Sequence, residues 1–398
     1  MKLLQLKVRG FRSLREIDWS PGDVNLLIGP NCSGKTNLLR AFELLSTAAR
    51  GGLESYIQRE GGIEPVLWDG RAEELTFEIR TSPLAPSAGS ERKPLDYRLE
   101  LIRLGNSTRY QIERELLADY TRVESGEMSQ PFKFLERQGR RAVVYNLEEQ
   151  GLIAPDESVP EGEALLSLAA GPFTANRWIS SYQEEVAGWR TYRQFQTHRD
   201  AFVRQTALAR YETMLNHDGQ NLVPVLHSLY TGDRGFKRAV DDAMRAAFGG
   251  EYEELVFPPA ADQRVQLRVR WKSLEREQSA ADLSDGTLRF LYLLAILANP
   301  NPPPLVAIDE PEIGLHPSML PIIAEHATEA ALRTQVILAT HSADLLDAFG
   351  ENPPKTTVAS LEDGETRLQV VSDDELRYWL DNYTLGKLFR SGELEAMA

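Results

Sequence analysis

Gly29-Pro30-Asn31-Cys32-Ser33-Gly34-Lys35-Thr36 fits the pattern G-x-x-x-x-G-K-[ST], and no other stretch of the chain restricts the fold as strongly. Such a loop works only at a strand-to-helix junction, because its backbone N–H groups must converge on an anion at a helix N-terminus. The flanking residues supply that junction. Val24 to Ile28 form a short apolar run that reads as a strand, and Leu38, Leu39, Phe42 and Leu45 recur at helical spacing, which predicts a helix over 35–47. In such a loop the glycines admit close approach of backbone to phosphate, Lys35 is suited to neutralise β- and γ-oxygens, and the Thr36 hydroxyl is suited to ligate Mg²⁺. Residues Gly29 to Thr36, with Asn37 following, are therefore the candidate ATP contacts.

A second element supplies acids. Leu305 to Ile308 are apolar and deliver Asp309 and Glu310 to the C-terminal end of a buried strand, the edge where α/β sheets bind ligands. Asp309 is placed to hold Mg²⁺ through its water shell and Glu310 to orient or deprotonate an attacking water. By itself, a strand ending in two solvated acids would look the same. Two further elements narrow the choice: Leu283-Ser284-Asp285-Gly286-Thr287 precedes a helix expected over 288–298, and Thr340-His341-Ser342 follows the apolar strand QVILAT. Taken singly, the first is equally a helix cap and the second a structural histidine. Their joint order around Asp309 and Glu310 favours chemistry.

In the order GPNCSGKT, LSDGT, LVAIDEPEIGLHP and ATHS, the chain resembles the ABC-type ATPase heads of the RecF, SMC and OLD (overcoming lysogenization defect) group, specifically that group's AAA-family ATPases. The opening KVRGFRSLREI resembles the group's N-terminal strand pair. The resemblance covers about 1–45 and 280–345 and implies an α/β fold, a P-loop NTPase of ABC-type head architecture. It also implies that Ser284 and Gly286 contact the γ-phosphate held by the Lys35 loop of an opposite chain, so that ATP joins two heads as a homodimer or higher even oligomer. His341 then becomes the histidine that senses the γ-phosphate, completing a catalytic set with Glu310 and Lys35. Gly314, Leu315 and His316 fill a turn that in this group crosses the dimer interface. LSDGT departs from the LSGGQ form at two positions, which weakens the carry-over there. Arg12, in GFRS, is a candidate nucleotide contact but equally a solvated strand end, and Gln58 is a guess for the glutamine that couples the metal to the lobes.

Periodicity organises the rest. Residues 75–80, 95–103, 109–117 and 141–146 alternate like strands, with turns at 81–94 and Gly105-Asn106, which predicts an antiparallel β lobe. Between 160 and 250 helical spacing takes over, as in Leu222, Val225, Leu226 and Leu229, and in Phe236, Val240, Met244 and Phe248. The expected organisation is 1–150 for the first half of the head with its β lobe, 151–260 for a helical insertion and 261–398 for the second half. Asp373, Asp374 and Glu375 resemble a fragment of a metal nuclease site, but with Ser372 they complete a capping box.

Composition excludes several classes. The chain has 398 residues, a formal charge of −15 and one cysteine, Cys32, so an internal disulfide is impossible and no zinc-ligand spacing occurs. An acidic whole argues against nonspecific coating of nucleic acid, although the first 50 residues carry eight basic side chains against four acidic ones. No apolar run approaches a bilayer span and the N-terminus reads as a strand, so the expectation is a cytoplasmic protein with no membrane partner. The stretch after His341 is too short for a TOPRIM nuclease domain, so any nuclease or effector is expected as a separate chain, with DNA a possible ligand. The competing readings are an ATP-bound scaffold with little turnover and a transporter ATPase; the long insertion argues against the second.

Overall fold

The computed structural model describes residues 1–84, 93–105, 107–119, 131–154, 158–170, 176–350, 353–372, 376, 379 and 383–394. Asp373, Asp374, Glu375 and Asn106 lie outside these. The chain divides into two compact units, one of Met1–Gly22, Gly29–Arg190 and Thr357–Val370, the other of Asp23–Ile28, Thr191–Thr356 and Val371–Ala398.

The first unit is built on an eight-stranded antiparallel sheet, in the order Leu14–Trp19, Leu3–Phe11, Glu74–Thr81, Leu95–Arg103, Tyr110–Asp119, Phe132–Gln138, Arg141–Asn146 and Gly151–Ile153. Alternation fixes its register, because a one-residue slip would turn every apolar side chain outward. The result is an inward row running Trp19, Leu6, Ile79, Tyr97, Leu117 and Leu135 across six strands. Two helices cover that face: Phe42 of Lys35–Ala49 meets Trp19 and Trp189, and Tyr182 of Arg177–Ala187 meets Tyr97 at 6.0 Å. The four predicted strands are present within a few residues of their expected bounds, and Phe132–Gln138 and Gly151–Ile153 extend the lobe beyond them. In the same unit, residues 357–370 form a hairpin closed by Asp363-Gly364, both with positive φ (50° and 80°), the conformation that a two-residue type I′ turn demands.

The second unit holds three parallel strands, Leu305–Asp309, Gln335–Thr340 and Val24–Ile28, side by side in that order. Their side chains are almost wholly buried on both faces, as parallel strands flanked by helices require. The register sets Asp309 opposite Ala339, and Thr340 opposite Ile28, so all three strands end level at their C-terminal edge. Helices Asp285–Leu297 and Leu320–Ala330 also belong here, with Leu222–Gly232 and Arg234–Phe248. The expected helical character of 160–250 holds for 177–187 and 222–248 but not for 188–221, which is turns, short strands and one 3₁₀ turn. Val203, Ala207, Tyr211 and Leu215 keep helical spacing there, but tertiary contacts override it, as where Arg204 donates to the Ala280 and Leu283 carbonyls.

Candidate active site

Ile28 ends the parallel strand Val24–Ile28, and the glycine loop follows it directly in the chain. Within the first unit, the loop packs so tightly that side chains at its two outer glycines are excluded: a Cβ on Gly29 would overlap the Ala359 carbonyl, and one on Gly34 would overlap the Thr366 hydroxyl. Both also have positive φ, 144° and 95°. Cys32, exposed, bends the loop with φ of 67°. Gly34 is the N-cap of the helix Lys35–Ala49 and offers no side-chain cap, and the first turn contains no acid. The helix therefore presents N–H groups and a positive dipole end to whatever occupies the loop.

Lys35 is buried and folds its ammonium back onto the loop, donating to the carbonyls of Gly29 (2.7 Å) and Pro30 (2.9 Å). The Ser33 N–H also returns to Pro30, while the Ser33 hydroxyl is buried without a hydrogen-bond partner. A buried orphan hydroxyl in an N–H-lined loop is a feature that a phosphate oxygen would satisfy. Pro30 and Asn31 form the exposed crest of the loop, and Thr36 opens the first turn. Asn37 is held by a residue that sequence reasoning missed: its side-chain N–H donates to the Ser13 hydroxyl at 2.7 Å, and Ser13 shares a second bond with the Thr366 hydroxyl. Ser13 and Thr366 lie 353 positions apart, and no local pattern signals the pair.

Arg12 has φ of 50° and turns its guanidinium to the Glu60 carboxylate, half-shielded, beside a cavity of about 440 Å³ bounded also by Glu64, Leu67 and Asp69. Gln58, on the helix Leu53–Arg59, donates to Glu54. In the second unit, by contrast, Gln194 lines one small cleft with Arg289, Asp309 and Glu310. Sequence reasoning missed Gln194 because its segment carries no motif.

The acids sit at the level edge of the parallel strands. Asp309 is the last residue of its strand, and Glu310 turns sharply into φ of 51° while its N–H still bonds the Ala339 carbonyl at 2.8 Å. That turn brings the Glu310 carboxylate to 3.2 Å from His341 Nδ1. A further acid stands behind them. Glu312 is nearly buried, accepts from the Thr340 hydroxyl at 2.6 Å and lies 3.9 Å from His341 Nδ1; its other oxygen is buried without a partner. Burial raises its pKa from the ordinary carboxylate value, an effect only partly offset by the Thr340 bond. Thr340 in turn accepts from the Ser342 N–H, so one hydroxyl ties Glu312 to the backbone that carries His341.

Ser284 and Gly286 open the helix Asp285–Leu297, as the sequence predicts. The Ser284 hydroxyl is the N-cap, accepting from the Thr287 N–H at 3.1 Å and pairing with the Thr287 hydroxyl at 2.8 Å. Gly286 lies so close to the Gly314 carbonyl that a Cβ would sit 2.6 Å from it, so the helix start and the turn of Gly314, Leu315 and His316 pack backbone to backbone. His316 caps the next 3₁₀ turn through Ser318. Asp285 accepts from Arg204 at 2.5 Å; burial pushes its carboxyl up, but the Arg204 and Thr197 bonds outweigh this and hold it below the ordinary value. Among the described residues, no group of three or more metal-ligating side chains occurs. No helix of the described residues is long and apolar enough to cross a membrane.

Comparison with known proteins fits this geometry. Residues 24–347 match the family described as "AAA domain, putative AbiEii toxin, Type IV TA system". A DNA replication and repair protein RecF from Citrifermentans bemidjiense is 48% identical over 48 residues, covering 12% of this chain and 13% of that protein. Over most of its length, the structure is similar to an SMC head bound to the C-terminal winged-helix domain of ScpA, with TM-score 0.56, 14% identity and coverage of 95% of this chain and 100% of that one. It is similar also to an Smc head with an extended coiled coil, bound to the C-terminal domain of ScpA derived from Pyrococcus furiosus: TM-score 0.55, 12% identity, 96% and 98% coverage. At these identities the likeness is one of fold.

Proposed function

The chain belongs to the AAA-domain family that its residues 24–347 match, with the α/β fold of a RecF- and SMC-like ABC-type ATPase head, and from that premise we propose that it binds ATP with Mg²⁺, hydrolyses it, and pairs with a second copy while ATP is bound. The observation that carries this reading is the Glu310–His341 pair at 3.2 Å, next to Asp309 at the C-terminal edge of the parallel strands.

Each residue then has a role. The N-terminus of the helix Lys35–Ala49 and the orphan Ser33 hydroxyl fit phosphate oxygens, and Lys35 exchanges the Gly29 and Pro30 carbonyls for them. Bound ATP with Mg²⁺ supplies the γ-phosphoryl group and the cation that offsets its charge. Thr36 and Asp309 would hold that cation, with Gln194, not Gln58, as the glutamine beside it. Glu310 orients water and accepts its proton, and His341 fixes the Glu310 carboxylate through Nδ1. Ser284 and Gly286 present their helix N-terminus to the triphosphate of the opposite copy. Arg12, engaged with Glu60, is assigned no direct contact until that ion pair opens.

The cycle makes the protein an ATP-controlled conformational switch. The RecF relative is named for DNA replication and repair and the SMC heads are bound to ScpA, which supports an action on DNA or on a separate effector chain such as a nuclease, in repair or phage defence. The test is a phosphate-release assay: wild-type protein should turn over ATP, Lys35→Ala should lose binding and turnover, and Glu310→Gln should bind without turnover. Equal turnover in Glu310→Gln and wild type would remove Glu310 from the mechanism.

A further inference from the structure

We propose that Arg204 is a positioning residue for the helix start at Ser284-Asp285-Gly286, and that it sets the charge of this start so that a triphosphate can dock there. The inference rests on the paired-head reading above and adds a residue to it.

Asp285 raises a difficulty for that reading. It places a carboxylate in the first turn of a 13-residue helix, where an incoming anion would meet it. Arg204 answers the difficulty with every side of its guanidinium. Nε donates to the Thr197 carbonyl at 2.6 Å; Nη1 donates to the carbonyls of Ala280, Ala281 and Leu283 at 3.0, 3.2 and 2.7 Å; Nη2 donates to the Asp285 carboxylate. The Arg204 side chain is 10% exposed and Asp285 63% exposed, so the cation is buried beneath the turn while the anion faces outward. A planar fork with five N–H groups can bridge carbonyls and a carboxylate in this way; a lysine ammonium cannot. Arg204 thus does two things at once: it closes the 280–283 turn that leads into the helix, and it cancels the Asp285 charge.

The two duties predict opposite outcomes for two substitutions, and a purely structural clamp does not. Arg204→Gln leaves the Asp285 charge uncompensated and weakens ATP-driven pairing. Asp285→Asn leaves the Arg204 charge uncompensated and strengthens it. A unit charge near an anion at the surface is worth roughly tenfold in an equilibrium constant in each direction. The double variant returns towards the starting affinity.

The experiment measures the dimerisation constant by analytical ultracentrifugation with ATP and Mg²⁺ in a Glu310→Gln background, and binding of a fluorescent ATP analogue under conditions that keep the heads apart. Weaker pairing for Arg204→Gln, tighter pairing for Asp285→Asn and recovery in the double variant, with single-head ATP binding unchanged, is the expected result. Asp285→Asn alters an exposed side chain, so its sign can be read even if Arg204→Gln misfolds. Weaker pairing for Asp285→Asn, or unchanged pairing in both single variants, overturns the role of Arg204 while the paired-head reading stands. A Glu310→Gln parent that stays monomeric overturns that reading and this inference with it.

Discussion

Thr340→Val tests whether the edge that carries His341 is held as described. The two side chains have nearly the same shape, and Thr340 is fully buried, so the substitution opens no cavity. It removes two hydrogen bonds: the donation to Glu312 at 2.6 Å and the acceptance from the Ser342 N–H at 2.9 Å. A bond to a carboxyl contributes about 1.5–3 kcal/mol and one to a backbone N–H about 1 kcal/mol. Burying a methyl in place of the hydroxyl returns about 1 kcal/mol. The expected net loss is about 1.5–3 kcal/mol, read as faster hydrogen exchange of the Gln335–Thr340 amides and a lower urea midpoint. Thr340→Ser keeps both bonds and should lose only about 1 kcal/mol, the cost of a small void. Equal exchange in wild type and Thr340→Val, or a larger loss in Thr340→Ser, would refute the account of Thr340 as the tie.

Other outcomes follow from single contacts. Glu312→Gln should flatten the pH dependence of stability. The raised pKa means that the wild-type contribution from Glu312 is complete below the ordinary value of 4.5 and is lost as pH rises through the folded-state value; urea titrations across that window should show wild type falling relative to Glu312→Gln. Gly34→Ala forces a left-handed residue and a clash with Thr366, so titration with a fluorescent ATP analogue should show at least roughly tenfold weaker binding, since the backbone strain alone costs about 1–2 kcal/mol.

What the sequence made readable was local. The strand, glycine loop and helix from Val24 to Ala49 are contiguous, and the apolar run before Asp309 announces its own burial, so both could be placed from spacing alone. The Asp363-Gly364 turn was an equally local signal, flanked by alternating residues, and reading it would have located the hairpin. Other parts depend on contacts that the chain order hides. Arg204 reaches Asp285 across 81 positions and Thr340 reaches Glu312 across 28, and neither pair leaves a periodic trace. Glu312 looks in sequence like one more solvated acid after Glu310, because burial by a neighbouring strand is not encoded within its own segment. Gln58 was suggested by residue type, whereas Gln194 is placed by the fold beside Asp309 and Glu310. The absence of α-helix over 188–221 has the same origin: long-range contacts such as those of Arg204 with Ala280, Leu283 and Asp285 set its path against its own spacing.

The most direct test of the central claim is the solution mass of wild-type and Glu310→Gln protein, with and without ATP and Mg²⁺. The account predicts that ATP drives Glu310→Gln into a stable dimer or larger even assembly, and that wild type enters it only until its ATP is spent. Monomers throughout, with ATP demonstrably bound, would contradict it.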